Sequence, residues 1–390
     1  MTTYVFDHPS KGRIEYKDKK RYLWPAGAFY AALPLFVIFV YQQFGNPWIL
    51  LSPLFVGFAM FPLLDYLIGT DRTNPPEEIV PQLEADNYYQ NLLIATIPMH
   101  YIVVIACAWF LATADLSWGF FIGFSIVVGM FSGASINTAH EIGHKSSKFQ
   151  RKMASLALAV TGYGHFSIEH NAGHHRDVST PEDPASSRMG ESIYSFMLRE
   201  IPGAAKRGWQ GEAKRLAKRG QGVWSWHNSV LQSYALTLVW QGTMILVFGW
   251  ALLAFFLIHN FFAWLQLTSA NYIEHYGLLR EKKDNGRHEP CQPHHSWNAN
   301  HIFSNLMLFQ LERHSDHHSN PSRHYQSLRS FEDLPELPSG YFGMYWLAYH
   351  PPLWFKVMDK RLMAIPHING DLNKVNMCPR KEKQLREKWA

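Results

Sequence analysis

Three long stretches of this chain contain no lysine or arginine, and they limit what it can fold into more than any other feature. They cover residues 22–71, 73–144 and 220–279. Each stretch can hold two apolar segments of about 20 residues, the length that a helix needs to cross a bilayer core. Because a soluble domain does not require its charges to be spaced in this way, the pattern predicts an integral membrane protein with six transmembrane helices.

The predicted helices lie near residues 25–43, 48–69, 92–113, 116–137, 232–249 and 251–270. The polar segments between and after them predict a helical cap outside the membrane. We therefore expect one all-α membrane domain over residues 1–390. It would consist of four spans within 25–137, a cytoplasmic insert at 138–230, two spans within 231–270 and a cytoplasmic tail at 271–390.

The distribution of basic residues predicts the orientation, because lysine and arginine near span ends stay on the cytoplasmic side. Six of them lie between Lys11 and Arg21, before the first span, and thirteen more lie between Lys145 and Arg219. Both termini should therefore face the cytoplasm, which in a bacterium places the protein in the inner membrane. The N-terminus has no signal-peptide pattern, so the first span should remain as an anchor. The net charge of +5 is attributed to loops that face anionic lipid rather than to nucleic-acid binding.

Eight of the 21 histidines fall into three clusters with helical spacing, and a ninth, His275, lies alone just past the sixth predicted span. The segments HEIGHK, EHNAGHH, NYIEHYG and LERHSDHH contain them: His140, His144, His170, His174, His175, His275, His314, His317 and His318. In the predicted topology every cluster emerges on the cytoplasmic side. Residues three and four apart on a helix place their side chains about 5–6 Å apart. The clusters are thus predicted to bind one metal or two neighbouring metals.

HEIGHK by itself also fits the HExxH helix of a zinc hydrolase, with Glu141 as the general base. A catalytic zinc takes three protein ligands and water, which would leave seven clustered histidines without a role. Nine imidazoles suit two metals instead, and imidazole binds Zn, Cu, Fe and Ni alike. An intramembrane zinc protease and a histidine-rich metal transporter are the alternatives. A transporter would hold its ligands near the membrane midplane.

Two further sets of histidines and the cysteines are interpreted differently. Isolated histidines are expected to be hydrogen-bonded surface residues: His8, His100, His227, His259, His324, His350 and His367. A second set is expected to orient ligands or to line the approach to the site: His165, His294, His295 and His301. Cys107, Cys291 and Cys378 are far apart, so this chain cannot form a four-cysteine iron site.

The clustered segments strongly resemble the motifs of bacterial integral-membrane alkane 1-monooxygenases, which are non-haem diiron enzymes. The likeness covers roughly residues 20–375 and includes NPPEE at 74–78, GYGHF at 162–166, DPASSRMGESIY at 183–194 and HHSWNANHI at 294–302. NYIEHYG is the discriminating segment, because membrane desaturases and fatty-acid hydroxylases share the other histidine boxes but lack it. Glu312 stands where many members have glutamine, a departure that affects no ligand.

The resemblance implies two iron ions held by the nine clustered histidines, with O₂ as co-substrate. The implied reaction is terminal hydroxylation of medium- to long-chain n-alkanes taken from the bilayer. Rubredoxin and its reductase would supply electrons, and because this sequence has no rubredoxin segment the donor is expected to be a separate protein. The alternative is a related membrane diiron oxygenase that acts on other methyl-bearing hydrocarbons or on fatty acyl chains.

Acidic residues next to the ligands are expected to accept hydrogen bonds from the distal ring N–H groups; these are Glu141, Glu169, Glu274, Glu312 and Asp316. In PLFVGFAMFPLLD, Gly57 stands among bulky residues. We expect Gly57 to leave room for the tail of a long substrate, with Phe58 and Met60 near the channel wall. The alternative role for Gly57 is close helix packing.

The C-terminal tail is basic, through Arg380, Lys381, Lys383, Arg386 and Lys388. Because rubredoxins are generally acidic, this charge could steer the electron donor to the enzyme. The alternative is an ordinary solvated face.

Overall fold

A computed structural model describes residues 2–145 and 147–389 of the chain, and helices dominate it. The elements in chain order are β1 (Thr3–His8), β2 (Gly12–Lys17), α1 (Ala26–Ala31), α2 (Leu33–Phe44), α3 (Ser52–Phe55), α4 (Phe61–Ile68), α5 (Val80–Ala85), α6 (Asn87–Thr113), α7 (Trp118–Gly143), α8 (Lys148–Ala159), α9 (Phe166–Glu169), α10 (His175–Asp177), α11 (Ile193–Ala217), α12 (Ser229–Phe248), α13 (Ala251–His275), α14 (Ile302–Met307), α15 (His314–Ser319), α16 (Tyr341–Ala348), α17 (Pro351–Met363) and α18 (Glu382–Trp389). Two π-helical turns connect α3 to α4 (Val56–Met60) and α9 to α10 (His170–His174).

Among the described residues, five helices are long and apolar enough to cross a membrane. They are the composite helix Pro47–Ile68, which contains α3 and α4, together with α6, α7, α12 and α13. The prediction of a mostly helical membrane protein is confirmed. The exposed large apolar side chains on these helices, such as Leu238 and Leu246, are those expected to face lipid.

The first predicted span differs from the other five. Residues 25–43 do not form one long helix but α1 and α2, which meet at Ala32, and α2 has only 12 residues. Pro34 lies in the first turn of α2. Proline has no N–H group and its ring clashes with the carbonyl one turn earlier, so it breaks a continuous helix. Of the six predicted spans, five are thus single helices long enough to cross a membrane among the described residues, and the first is divided into two shorter helices.

Two other predicted features need correction. Residues Thr3–Lys17 form an antiparallel hairpin, with register from Thr3↔Lys17 to His8↔Gly12, where only helices were expected. Its strands lie beside the segment before α6, where the Tyr4 hydroxyl donates to Asp86 at 2.7 Å. The last span, placed at 251–270, continues to His275, so this histidine ends the helix rather than following it.

Helices α7 and α13 run parallel and touch along their backbones. A Cβ atom added at Gly129 would lie 2.6 Å from the His259 carbonyl oxygen, and one added at Gly133 would lie 2.7 Å from Cβ of Gln266. Small residues four apart are the usual means by which membrane helices approach so closely. Because the two helices are parallel and in contact, the histidines at their C-terminal ends lie at the same end of the bundle.

A cap covers this end of the bundle. It consists of the insert between α8 and α12 and the chain that follows α13. Isolated bridges tie its parts together, Met189 to Met377 and Leu278 to Val375. One continuous apolar core extends from Tyr4 to Leu385. The division into spans, insert and tail remains a prediction about how the chain lies in a membrane.

Candidate metal centre

The nine clustered histidines converge beneath the cap and form two groups. The ligand atoms within each group all lie within 4.8 Å of one another. The five-histidine group contains His140, His144, His170, His175 and His317, and the four-histidine group contains His174, His275, His314 and His318. The structure thus brings together residues that lie as far apart in the chain as His140 and His318.

The ring atoms that face each other are the Nε2 atoms. In the five-histidine group they are 2.8 Å apart for His140 and His317 and 3.0 Å apart for His170 and His175. In the four-histidine group His314 Nε2 lies 3.2 Å from that of His275 and 2.9 Å from that of His318. Two nitrogens bound at right angles to a metal, with bonds of about 2.1 Å, would be about 3.0 Å apart. The spacing therefore fits ligands of one ion in each group.

Hydrogen bonding between the rings does not account for the arrangement. A neutral imidazole has one N–H donor and one acceptor nitrogen, yet His314 Nε2 approaches two other Nε2 atoms. The Nε2 atoms of His144 and His174 are buried and have no hydrogen-bond partner among the described residues. Such orphaned nitrogens are costly unless a ligand satisfies them. A metal ion in each group would satisfy them.

The electrostatics leave eight of the nine rings ready for a metal, whereas at His174 the Asp183 carboxylate outweighs burial and raises the pKa. Burial lowers the pKa of His170, His317 and His318 well below the usual histidine value. These imidazoles are therefore neutral, and a neutral ring offers its lone pair to a cation. A donor set made almost entirely of imidazole suits Zn, Cu, Fe or Ni and not Mg or Ca, which prefer oxygen.

Local backbone geometry divides the motifs between the two groups. Neighbouring residues on a helix point about 100° apart, so His174 and His175 face different groups, as do His317 and His318. The segment EHNAGHH contains a π-helical turn at His170–His174, which has one residue more than an α-helical turn. Single π turns of this kind are common at functional sites.

Of the acids that the sequence placed beside the ligands, Glu274 alone contacts a ligand ring among the described residues. Its Oε2 lies 3.3 Å from His314 Nε2, and Tyr341 donates to its Oε1 at 2.9 Å. Nε2 is the atom that faces the other rings, not the distal Nδ1. Glu274 therefore lies on the metal side of the ring, a different position from the one expected.

The other four acids bond to backbone N–H groups or to arginines around the site. Glu141 accepts a hydrogen bond from the Tyr325 N–H, and Glu312 accepts one from the Tyr341 N–H. Asp316 pairs with Arg329 and Arg323. Glu169 accepts from Arg207 Nε at 2.8 Å. Because neighbouring residues on a helix point about 100° apart, these four carboxylates do not contact the rings next to them in the sequence, which is why sequence adjacency was a poor guide.

The expected role of a distal hydrogen-bond acceptor belongs to Asp183, which sequence reasoning did not single out. Its Oδ2 lies 2.8 Å from His174 Nδ1, and its Oδ1 accepts from Arg207 at 2.6 Å. Burial alone would raise the pKa of Asp183, but His174 and Arg207 outweigh it and lower the pKa. Arg207 also pairs with Glu169. Glu169 is therefore linked to His174 only through Arg207 and Asp183. The only sequence signal was an aspartate at the head of the DPASSRMGESIY segment.

A narrow, mainly apolar cavity leads to the histidines. His140 and His170 of the five-histidine group and His314 of the four-histidine group lie in its wall, together with Glu274. Most of its other lining is apolar and comes from α7, α13 and the loop before α15: Met130, Ala134, Ile136, Leu267, Ala270, Leu308 and Leu311. The cavity therefore touches both groups.

A second small cavity adjoins the first and shares part of its wall, including Tyr30, Met130 and Tyr345. Gly57 and Phe58 line it. A Cβ atom added at Gly57 would meet nothing within 4 Å, so close helix packing does not explain this glycine. Met60 is 39% exposed and does not line either cavity.

A third group, Glu289, His294 and His295, also has ligand atoms close together. However, His295 Nδ1 accepts a hydrogen bond from the Gln292 N–H at 2.9 Å. The proton of a neutral ring must then sit on Nε2, which lies 3.2 Å from Glu289 and donates to it. This tautomer has no lone pair left for a metal.

Several of the remaining histidines are held by contacts away from the two groups. His165 Nδ1 lies 2.6 Å from the Tyr234 hydroxyl, and His301 forms a backbone bridge with Thr70. Two of the histidines expected at the surface, His100 and His259, are buried within α6 and α13. His259 Nδ1 pairs with the Asn260 side chain at 2.9 Å.

Residues 116–350 match the fatty acid desaturase family. Alkane 1-monooxygenase 1 of Alcanivorax borkumensis is 51% identical over 93% of this chain and 90% of its own length. The alkane 1-monooxygenases of Ectopseudomonas oleovorans and Pseudomonas putida are each 50% identical over 93% of this chain and 90% of their own lengths.

Proposed function

The chain belongs to the alkane 1-monooxygenase family, and on that basis we propose that it hydroxylates the terminal methyl group of medium- to long-chain n-alkanes at a nine-histidine diiron centre. The overall reaction combines R–CH₃, O₂, two electrons and two protons to give R–CH₂OH and water. Rubredoxin is the proposed electron donor and is reduced in turn by its reductase.

One observation carries this proposal: two histidine groups meet at the end of an apolar cavity. An unactivated C–H bond has no leaving group and no acidic proton, so acid–base catalysis by side chains cannot open it. Two bound iron ions would supply the activation of O₂ and the electron transfer that such a bond requires. The protein contributes a dry cavity, orientation of the chain and control of the ligands.

The cavity residues position the substrate. Apolar side chains of α7 and α13 exclude water and guide the chain. The methyl end then lies beside His140, His170 and His314, in the wall nearest to both groups. Tyr341 fixes the Glu274 carboxylate next to His314 through its hydrogen bond. This arrangement favours attack at the end of the chain over attack at an internal carbon.

Chain length is selected by the shape of the cavity. An alkane gains about 0.8 kcal/mol per CH₂ on leaving water, but an alkane in a bilayer gains almost nothing by entering another apolar space. Affinity therefore discriminates poorly between chain lengths. The space beside Gly57 and Phe58 extends the path away from the histidines and would accommodate the far end of a long substrate.

The electron donor would dock on the cap. Three of the five basic tail residues are paired within the protein: Lys383 with Glu387, Arg386 with Glu382 and Lys388 with Asp359. Arg380 and Lys381 instead line a surface groove together with Arg188 and Arg199. This groove is a better candidate for an acidic rubredoxin than the tail helix as a whole. Neutralising Arg380 and Lys381 should weaken the salt dependence of turnover, and an unchanged salt dependence would refute this docking site.

The orientation is also part of the proposal, with both termini and the metal centre on the cytoplasmic side of the inner membrane. Both ends of the chain lie near the histidine end of the bundle, which supports it. Lys20 contacts Gln310, four residues before His314, and Met377 pairs with Met189 in the cap. Reporter fusions at each terminus should be active only as cytoplasmic reporters. A periplasmic signal at either end would refute the orientation.

Metal and product analysis together test the function. Protein purified from cells grown in medium that contains iron should hold two iron ions per chain. With rubredoxin, its reductase, O₂ and a range of n-alkanes, it should form primary alcohols. One zinc per chain would favour a protease, and loosely held mixed metals a transporter. Iron-loaded protein that oxidises methyl-substituted arenes or fatty acyl chains but not alkanes would favour the related oxygenase instead.

A further inference from the structure

A larger cavity lies outside the metal centre, at the same end of the helix bundle. It has a volume of about 720 Å³ and opens between α8, the segment around α9 and the start of α12. Basic residues of α8, Lys148, Arg151 and Lys152, lie at its mouth. Apolar side chains such as Leu156 and Leu236 form part of its wall. The cavity is thus positively charged in one part and apolar in another.

Two of these positive charges, those of Lys148 and Lys152, are not neutralised by the described residues around them. No carboxylate lines the cavity in the described part of the chain. Lys148 and Lys152 are exposed, one helical turn apart, and among residues 2–145 and 147–389 neither has an ion-pair or hydrogen-bond partner. Helix α8 begins at Lys148, and Ser147 provides no side-chain cap. The free N–H groups of that first turn add to the attraction for an anion.

The wall also has hydrogen-bonding capacity to spare. Ser167 Oγ and Ser233 Oγ are buried and have no partner among the described residues, and both residues line the cavity. Buried hydroxyls without partners are uncommon in folded proteins. A polar group bound in this cavity is one way in which they could be satisfied.

The cavity lies beside the start of a membrane-spanning helix, and this placement does not depend on the proposed reaction. Helix α12 begins at Ser229 beside the cavity and runs on as one of the apolar spans. Trp224 and Trp226, just before it, are 79% and 78% exposed, as is typical of aromatic residues at the headgroup level. The cavity therefore lies where phospholipid headgroups meet the protein.

We propose that this cavity binds one anionic phospholipid, with its phosphate between Lys148, Lys152 and the first turn of α8 and an acyl chain along Leu156 and Leu236. The bound lipid would brace the metal centre from behind. Ser167 and Asn171 in the cavity wall flank His170, and the Asn171 amide donates to the Gly143 carbonyl oxygen at 3.1 Å. Gly143 immediately precedes His144, so this wall joins two of the ligand motifs.

A matched pair of double variants tests the site. Lys148→Ala/Lys152→Ala removes the two lysines of the cavity. Lys214→Ala/Lys218→Ala removes two exposed lysines with the same spacing at the end of α11, which have no ion-pair partner among the described residues. The full-length protein would be placed in nanodiscs of phosphatidylcholine with added phosphatidylglycerol, and tightly bound lipid would be counted by native mass spectrometry.

Wild type and the α11 control should retain one phosphatidylglycerol per chain. The Lys148→Ala/Lys152→Ala protein should lose at least about tenfold in affinity for it, because each lysine near an anionic surface contributes substantially. Equal losses in both variants would mean non-specific surface attraction and would overturn the proposal. Equally strong retention of phosphatidylcholine and phosphatidylglycerol would also overturn the proposal. Displacement of the lipid by inorganic phosphate alone would reduce the site to one for free anions and would also overturn it. Product analysis is independent of all these outcomes, so failure of this proposal leaves the proposed function untouched.

Discussion

The two histidine groups differ in how their ligands are supported. The four-histidine group has two carboxylates in contact with its rings, Asp183 at His174 Nδ1 and Glu274 at His314 Nε2. The five-histidine group has none within 4.0 Å among the described residues and relies on its fifth imidazole. Asp183 accepts from the distal Nδ1–H of His174 and raises the basicity of that ring, whereas Glu274 adds negative charge on the metal side. The two metal positions are therefore chemically unequal, although they share two motifs.

The source of the ligands differs as well. Helix α7 serves the five-histidine group alone, and α13 serves the four-histidine group alone. The segments EHNAGHH and LERHSDHH serve both groups. The end of a membrane helix thus holds two of the five ligands in one group and one of the four in the other, and the cap holds the rest. The predictions below test how far the two groups behave as separate units.

The largest effect should follow removal of one ligand from each group in turn. His317→Ala and His318→Ala change adjacent residues that face different groups, so each should weaken one metal position. Activity should fall by more than about 100-fold in both, because even residues that only orient a ligand contribute about 10–100-fold. Iron content should fall from two to about one per chain. His350→Ala, at an exposed position, is the control, and loss of both irons in either ligand variant would contradict separate groups.

Asp183→Asn tests the carboxylate support of the four-histidine group. The amide keeps the size of the side chain but removes the charge that faces His174 and Arg207. Affinity for one of the two irons should fall about 10–100-fold, measured by competition with a chelator. The second iron should be released as in wild type. Glu182→Gln, the exposed neighbour, should change neither. Equal weakening of both irons would show that Asp183 supports the cap as a whole.

Gly57→Trp tests whether a substrate extends from both groups into the adjoining cavity. The indole would fill the space where a Cβ meets nothing within 4 Å. The kcat/KM for the longest accepted alkanes should fall at least about tenfold, since small changes in apolar pocket size are worth about 10–200-fold. The shortest alkanes should be unaffected. Met60→Trp, outside both cavities, is the matched control, and an unchanged length profile for Gly57→Trp would remove the channel role.

The smallest effect on activity should come from Gly129→Ala, which pushes apart the helices that serve the separate groups. Its Cβ would lie 2.6 Å from the His259 carbonyl oxygen, and overpacking of this kind costs about 1–3 kcal/mol. Gly242→Ala, where a Cβ meets nothing within 4 Å, should not be destabilising. Thermal unfolding in detergent measures both. If the two variants unfold alike, the contact between α7 and α13 is not as tight as described.

Sequence reasoning succeeded for features that follow directly from how charged residues and histidines are spaced along the chain. The absence of lysine and arginine over long stretches revealed the five long spans, and helical spacing selected eight of the nine histidines that the structure brings together. It failed at Pro34 because apolar composition was counted without the backbone consequence of proline. It missed Asp183 because the contact depends on how the loop after α10 folds back. It misplaced His100 and His259 at the surface because no residue near either one in the sequence shows which way its ring points.

The pairs His174–His175 and His317–His318 each divide between the two groups, which makes their short turns a shared hinge for both metals. The distance between the two metal positions is therefore set by the backbone of these two turns rather than by the membrane helices. A substitution that moved either turn would change the spacing of the pair, whereas loss of a single ring would empty one position and leave the ligands of the other in place.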